Sequence, residues 1–282
     1  FLGCLGKALD RIWFDGDSRT RLECAMPKRA LDPEFDWFDH CPLCNGTRLT
    51  LWESSTSGYS VQAQRVRCKS CSLVFSNPQA SEARLEHFYQ HVYFSQNDLK
   101  GRYFSASSEA ELRLKADEEL DSIEQALPTK GRLIDVGAAA GYFLLQARLR
   151  GWDVEGIEMS AKAAAAARRQ GLRMHVARLE DLRLGRRFDA LHCAHTIEHV
   201  KDPIDFCRRL GKLVKPGGRL LLEVPNRQAL WPQLWHYGAR LRGQAAPLTY
   251  AKEHTFDFSP KTFRRTLEAA GLKVLAMNCY EY

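Results

Sequence analysis

Residues 132–141 read RLIDVGAAAG. An apolar run ends on an acid, and two glycines then frame three alanines. The pattern predicts a buried strand, a tight glycine turn and the start of a helix, here GYFLLQARLR (141–150), which Gly151 ends. Downstream the alternation repeats. WDVEGIE (152–158) reads as a second strand, Ser160 caps the helix AKAAAAARRQ, Gly171 stops it, and LRMHVA (172–177) is a third strand. RFDALHCAH (187–195) reads as a fourth strand. FCRRLGKLVKPGGRLLLEVPN (206–226) reads as a helix, a turn over Lys215–Gly218 and a fifth strand, and GLKVLAMNCYEY (271–282) as a sixth. Upstream, Ser108 and Glu111 form a capping box that opens a helix closed by Pro128. Strands and helices joined by short loops predict an α/β fold, a Rossmann-like doubly wound parallel sheet.

The glycine loop constrains what it can hold. A dinucleotide fingerprint would place glycines at 139 and 142, where Ala139 and Tyr142 stand, so backbone approach to a pyrophosphate is obstructed. Asp135 adds negative charge where a doubly charged group would sit. A cofactor with a cationic end suits the loop, and S-adenosylmethionine has both an ammonium and a sulfonium. At the end of the second strand, Glu158 offers two acceptor oxygens to the two adjacent hydroxyls of a ribose.

DVGAAAG followed by VEGIEMS resembles the class I S-adenosylmethionine-dependent methyltransferases. The resemblance implies that Asp135, Gly137 and Gly141 line the methionine end, with Ala139 and Tyr142 also among the cofactor-binding residues. It also implies that Glu158, with Met159 beside it, takes the ribose, and that Glu180 or Asp181 reaches the adenine. Arg178 stands where many relatives place the adenine-side acid, and Ala139 replaces a common middle glycine.

Before this domain lie HCPLCNG and RCKSCSL, which give Cys41, Cys44, Cys68 and Cys71 as two CxxC pairs with 23 residues between them. Each two-residue gap lets a turn aim two thiolates at one ion, and two such turns complete the four sulfur ligands of structural zinc. The intervening TRLTLWESS and YSVQAQRVR alternate as ribbon strands do. The expected organisation is an N-terminal segment 1–38, a zinc ribbon 39–80 and a methyltransferase domain 81–282 with a lid insertion at about 227–253. That lid would carry Trp231, Trp235, His236 and Tyr237 with Arg240 and Arg242.

Length and composition fit this plan. A chain of 282 residues with 45% hydrophobic side chains can build one large domain and a small one. No apolar run approaches the roughly 20 residues that span a bilayer, and the scattered remaining cysteines do not read as a disulfide framework, so a reducing cytoplasmic setting is expected. The chain opens on Phe1 rather than Met, and residues run out before a seventh strand, so truncation at both ends is expected. The net charge is +7, and its excess lies in residues 131–282, with 25 basic against 15 acidic side chains. That balance suits an anionic acceptor and equally a solvated surface.

AHTIEHVKDP (194–203) contains His195, Glu198 and His199 in the HxxEH spacing of some zinc peptidases. Pro203, four residues on, denies it a long zinc helix. It resembles the EHVxDP segment of the ubiquinone O-methyltransferase-like branch, where Glu, Glu and His at these offsets can hold a divalent metal; His195 stands at the first position here. His195, Glu198, His199 and His254 of YAKEHTFDFSP are the candidate catalytic residues, with His195 also at the cofactor. His199 reads as a general base, a hydrogen-bond donor to the acceptor or a helix-start side chain. The ribbon followed by LVFSNP and this core resembles bacterial zinc-ribbon methyltransferases that tailor surface polysaccharides and natural products. The implied acceptor is a small molecule or glycan unit, methylated at oxygen or at a sugar carbon. An RNA base methyltransferase and a silent cofactor-binding partner are the competing readings; no dense basic tract supports nucleic acid.

Overall fold

The computed structural model describes residues 33–55, 63–88, 106–229 and 254–279. The expected N-terminal segment up to residue 32, and the lid from residue 230 to 253 with its tryptophans and arginines, lie outside the described residues. In chain order the elements begin with β1 (Phe35–Asp36), β2 (Leu49–Ser55), β3 (Ala63–Cys68), β4 (Val74–Ser76), β5 (Gln79–Ala80), α1 (Glu82–His87) and α2 (Ala106–Gln125). Next come β6 (Arg132–Val136), α3 (Tyr142–Leu149), β7 (Asp153–Glu158), α4 (Ala161–Arg169), β8 (Arg173–Val176) and β9 (Phe188–Ala194). The series closes with a 3-10 turn (Ile197–His199), α5 (Pro203–Leu213), β10 (Val214–Glu223), β11 (Phe256–Asp257) and α6 (Pro260–Ala269).

Five strands form a parallel sheet in the order β10-β9-β6-β7-β8. The order reverses between β6 and β9, and ligands of such sheets bind at the carboxyl ends beside that reversal. Alternation along each strand divides the core. Leu133 and Ala190 point to the layer holding Ala116 and Leu120 of α2 and Leu144 of α3. Ile134, Val136, Leu191 and Cys193 point to the layer holding Phe206 and Leu210 of α5 and Phe263 and Leu267 of α6.

Local chemistry sets the helix starts. Ser160 Oγ accepts from the Ala163 amide at 3.3 Å to open α4. Asp202 accepts from the Ile204 and Asp205 amides at 3.0 and 2.9 Å with Pro203 in the first turn of α5, and Ser259 and Thr262 form a reciprocal box ahead of α6. Two expectations need correction. Helix α2 starts at Ala106, so Ser108 and Glu111 sit inside it; a capping box is a local signal, and no glycine or proline separates Ser108 from Ala106. Residues 272–279 form no strand, although Val274 and Met277 still pack against the core. Alternation in LKVLAM reports burial on one side, whereas a strand also needs a ladder partner.

The cysteine knuckles belong to an antiparallel sheet in the order β11-β4-β3-β2. Its fourth strand comes from the far end of the chain, with Phe256 opposite Phe75 and Asp257 opposite Val74. Leu73, Phe75 and Phe256 are fully buried and share one core cluster with Ile134 and Leu191 of the parallel sheet. Among the described residues no helix is long and apolar enough to cross a membrane.

Candidate functional site

A cavity of about 510 Å³ opens at the carboxyl ends of β6, β7 and β9. The loop after β6 forms its floor through residues that ordinary side chains would not permit. Gly137 has φ +83°, and a Cβ there would lie 2.1 Å from Thr196 Oγ1. Gly141, at φ +80°, would drive a Cβ to 2.4 Å from Leu172 Cδ1 and 3.0 Å from Ala167 Cβ, so its bare backbone lets α4 and the chain entering β8 pack close behind the loop. Ala139 also adopts positive φ, at +46°, and its amide donates to Glu158 Oε2 at 2.9 Å. The other oxygen of Glu158 accepts from the Ser160 amide at 2.7 Å. Burial pushes the Glu158 carboxyl up, opposed by those two amides, which fix one position for each oxygen while the carboxylate keeps further acceptor capacity.

Asp135, Gly137, Ala139, Tyr142, Glu158, Met159, Glu180, His195 and His199 line this cavity. Gly141 acts from behind the wall. Asp181 is exposed and absent from the lining, while Arg178 is in the wall and pairs with Glu82 of α1 at 2.6 Å.

The sequence reading missed His192. It is the Cα partner of Asp135 across the β6–β9 reversal, and its Nδ1 lies 2.8 Å from Asp135 Oδ1. Its ring stacks on Phe143 with centroids 3.7 Å apart, and its Nε2 lies 3.5 Å from Glu119 Oε2 of α2. Burial alone would lower the His192 pKa, but Asp135 and Glu119 outweigh it and lift the value to about 9. The group is therefore an imidazolium at neutral pH. Lys115, one turn before Glu119, meets Glu223 Oε1 at 2.7 Å and His195 Nε2 at 3.0 Å. The signal for these contacts is weak: HCA alternates like any core strand, and Lys115 and Glu119 have the i,i+4 spacing common to helix-surface pairs.

His195 closes β9 in the left-handed region, at φ +50°, and the 3-10 turn follows, so HxxEH is not helical here. Glu198 is 1% exposed, and neither carboxylate oxygen has a hydrogen-bond partner. Three imidazoles surround its Oε1: His195 Nδ1 at 3.7 Å, His199 Nε2 at 3.8 Å and His254 Nε2 at 4.0 Å. Two nitrogens or oxygens bound to one metal at about 2.1 Å can be at most about 4.2 Å apart, so the Glu198–His199 and Glu198–His254 spacings are compatible with a shared ion. The donor atoms of Glu198, His199 and His254 all lie within 4.8 Å of one another. Burial and His199 lower the His254 pKa to about 4, which leaves a neutral imidazole able to bind a metal and makes it a weak base near neutral pH. His195 is raised to about 9, because Glu198 and Glu223 outweigh the effect of burial, so it is a poor base.

His254 is held by the small sheet. Arg65 of β3, 4% exposed, donates to the His254 carbonyl at 2.5 Å and pairs with Asp257 at 3.3 Å. Thr255 donates its amide to the Glu198 carbonyl at 2.7 Å. The four knuckle sulfurs also lie within 4.8 Å of one another, with Cys41–Cys71 at 3.5 Å and Cys44–Cys68 at 3.6 Å. A tetrahedral Zn–S₄ site has edges of about 3.8 Å, so the cluster fits zinc.

A five-stranded parallel sheet reversing at β6 and β9, a glycine loop bent over the cavity and an acid closing the second strand together define the class I S-adenosylmethionine-dependent methyltransferase fold. A family model described as a methyltransferase domain matches residues 108–277, and the chain belongs to that family. Among curated relatives, the ubiquinone biosynthesis O-methyltransferase of Aeromonas salmonicida is 28% identical over 164 residues, covering 54% of this chain and 66% of the relative. That of Alkalilimnicola ehrlichii is 36% identical over 104 residues, covering 34% and 42%. The chain thus spans less than two thirds of these relatives' length. Among solved structures, a possible histamine N-methyltransferase from Thermotoga maritima is similar with a TM-score of 0.47 at 20% identity, covering 66% of this chain and 80% of that one.

Proposed function

We propose that the protein is an S-adenosylmethionine-dependent methyltransferase that methylates an oxygen of a small molecule or glycan unit. The observation that carries this reading is the bent Gly137 loop and the fixed Glu158 carboxylate facing one cavity. The similarity to O-methyltransferases supports oxygen as the acceptor atom. When bound, the methyl donor supplies an electrophilic methyl on a sulfonium whose departure leaves a neutral thioether.

The chain's own residues supply positioning and charge. Gly137 allows close approach at the cofactor's amino acid end, and Glu158 accepts from two adjacent ribose hydroxyls. A loop that disfavours pyrophosphate makes the site selective for a cationic ligand. Glu198, His199 and His254 hold a divalent cation beside the cavity, which would favour the deprotonated acceptor hydroxyl. Cys41, Cys44, Cys68 and Cys71 hold a structural zinc, and Arg65 extends the ribbon's rigidity to His254. Nearness of a held nucleophile to the methyl then lowers the barrier, since methyl transfer needs little further chemistry.

Incubation with labelled S-adenosylmethionine against separated glycan, lipid and RNA fractions tests this reading. Label is expected in small molecules or glycans, in a base-stable ether. Label in RNA alone would replace this reading with the RNA one, and cofactor binding without label in any fraction would favour a silent binding protein.

A further inference from the structure

The cavity wall contributed by α2 carries charge that the glycine loop and Glu158 do not explain. Glu119 and His192 both face the cavity. Glu119 Oε1 and His192 Nε2 are buried and lack hydrogen-bond partners, and the His192 side chain is 6% exposed. Buried polar atoms of this kind cost stability unless something meets them.

The charges can be taken pair by pair. Asp135 is engaged by His192 at 2.8 Å, so its charge is largely cancelled by an imidazolium. Lys115 lies 3.7 Å from Glu119 Oε1 but is drawn more closely to Glu223, at 2.7 Å. His192 Nε2 lies 3.5 Å from Glu119 Oε2, a looser contact than its 2.8 Å one with Asp135, and Glu119 Oε1 is left with no hydrogen bond; the ligand that would satisfy it is a cation with N–H donors.

We infer that Glu119 is the acceptor for the ammonium of the cofactor's amino acid end, and that Asp135 acts indirectly by holding His192 in place. The assignment rests on the methyl-donor reading above. It separates two roles that the glycine-loop motif merges: the loop supplies clearance, and a helix some 20 residues upstream supplies the charge recognition.

Calorimetry with three ligands tests it on the full chain: S-adenosylhomocysteine, its deaminated analogue that keeps the carboxylate, and 5′-methylthioadenosine, which lacks the whole amino acid end. A charged hydrogen bond of this kind corresponds to an affinity factor of about 10 to 100. Wild-type protein is expected to bind the deaminated analogue weaker than S-adenosylhomocysteine by about that factor. In Glu119→Gln the gap should collapse to within about twofold, while 5′-methylthioadenosine binds both proteins equally. A gap that survives Glu119→Gln, or equal weakening of all three ligands, overturns the assignment. The wild-type comparison holds even if the variant folds poorly, since no gap there also refutes it. Failure of wild type to bind any of the three would instead overturn the methyl-donor reading, and this assignment with it.

Discussion

The buried His192 imidazolium makes stability depend on pH in a way that can be worked from its surroundings. Its pKa is about 9 in the folded protein against 6.5 in its absence of structure, so the folded state binds the extra proton between those values. A raised histidine pKa contributes stability that is fully present below about 6.5 and is lost as pH rises through about 9. The difference corresponds to about 3 kcal/mol. The perturbation is His192→Gln, compared with wild type by urea unfolding between pH 6 and 9.5. At pH 6 the variant should be the less stable, because Asp135 and Glu119 keep their burial and lose their cation. By pH 9.5 the difference between the two should shrink by about 3 kcal/mol. His195, also raised to about 9, is present in both proteins and cancels in the comparison. Two curves that stay parallel across the range would refute the reasoning.

Other perturbations follow from the same geometry. Gly137→Ala places a methyl 2.1 Å from Thr196 Oγ1 at φ +83°, and should cost about 1–2 kcal/mol of stability and at least about tenfold in S-adenosylhomocysteine affinity by calorimetry. Metal analysis of protein purified without added zinc should give about one zinc per chain, falling close to zero in Cys71→Ser. Because Leu73 and Phe75 beside the knuckles share the main core, the melting temperature of that variant should drop by roughly 10 °C; normal melting without zinc would contradict the structural role. Glu198→Gln should weaken Mn²⁺ binding at least about tenfold in titrations followed by electron paramagnetic resonance. Unchanged Mn²⁺ affinity would argue against a cation at Glu198.

Much of this was legible because its causes are local. Gly137 and Gly141 were readable from spacing, since a positive φ after a strand is a demand on one residue; Glu158 was readable from its place at the end of the next strand. Ser160 announced its helix because a cap acts over three residues. What escaped depends on contacts between distant segments. His192 differs from any inward strand residue only because β9 lies beside β6, and Glu119 becomes a cavity residue only once α2 crosses that reversal. His254 was a candidate from its motif, but its edge-on meeting with His199, centroids 4.9 Å apart, depends on β11 joining the ribbon sheet. The expected strand after Gly271 failed for the same reason in reverse, its apolar pattern being satisfied by packing without a ladder.

The central claim is that the Asp135–Gly141 loop and Glu158 cradle a positively charged methyl donor and exclude a pyrophosphate. Calorimetry of the one protein against S-adenosylmethionine, S-adenosylhomocysteine and NAD measures this directly. Saturable binding of the first two with no heat from NAD is the expected result; tight NAD binding with neither adenosyl ligand bound would contradict it.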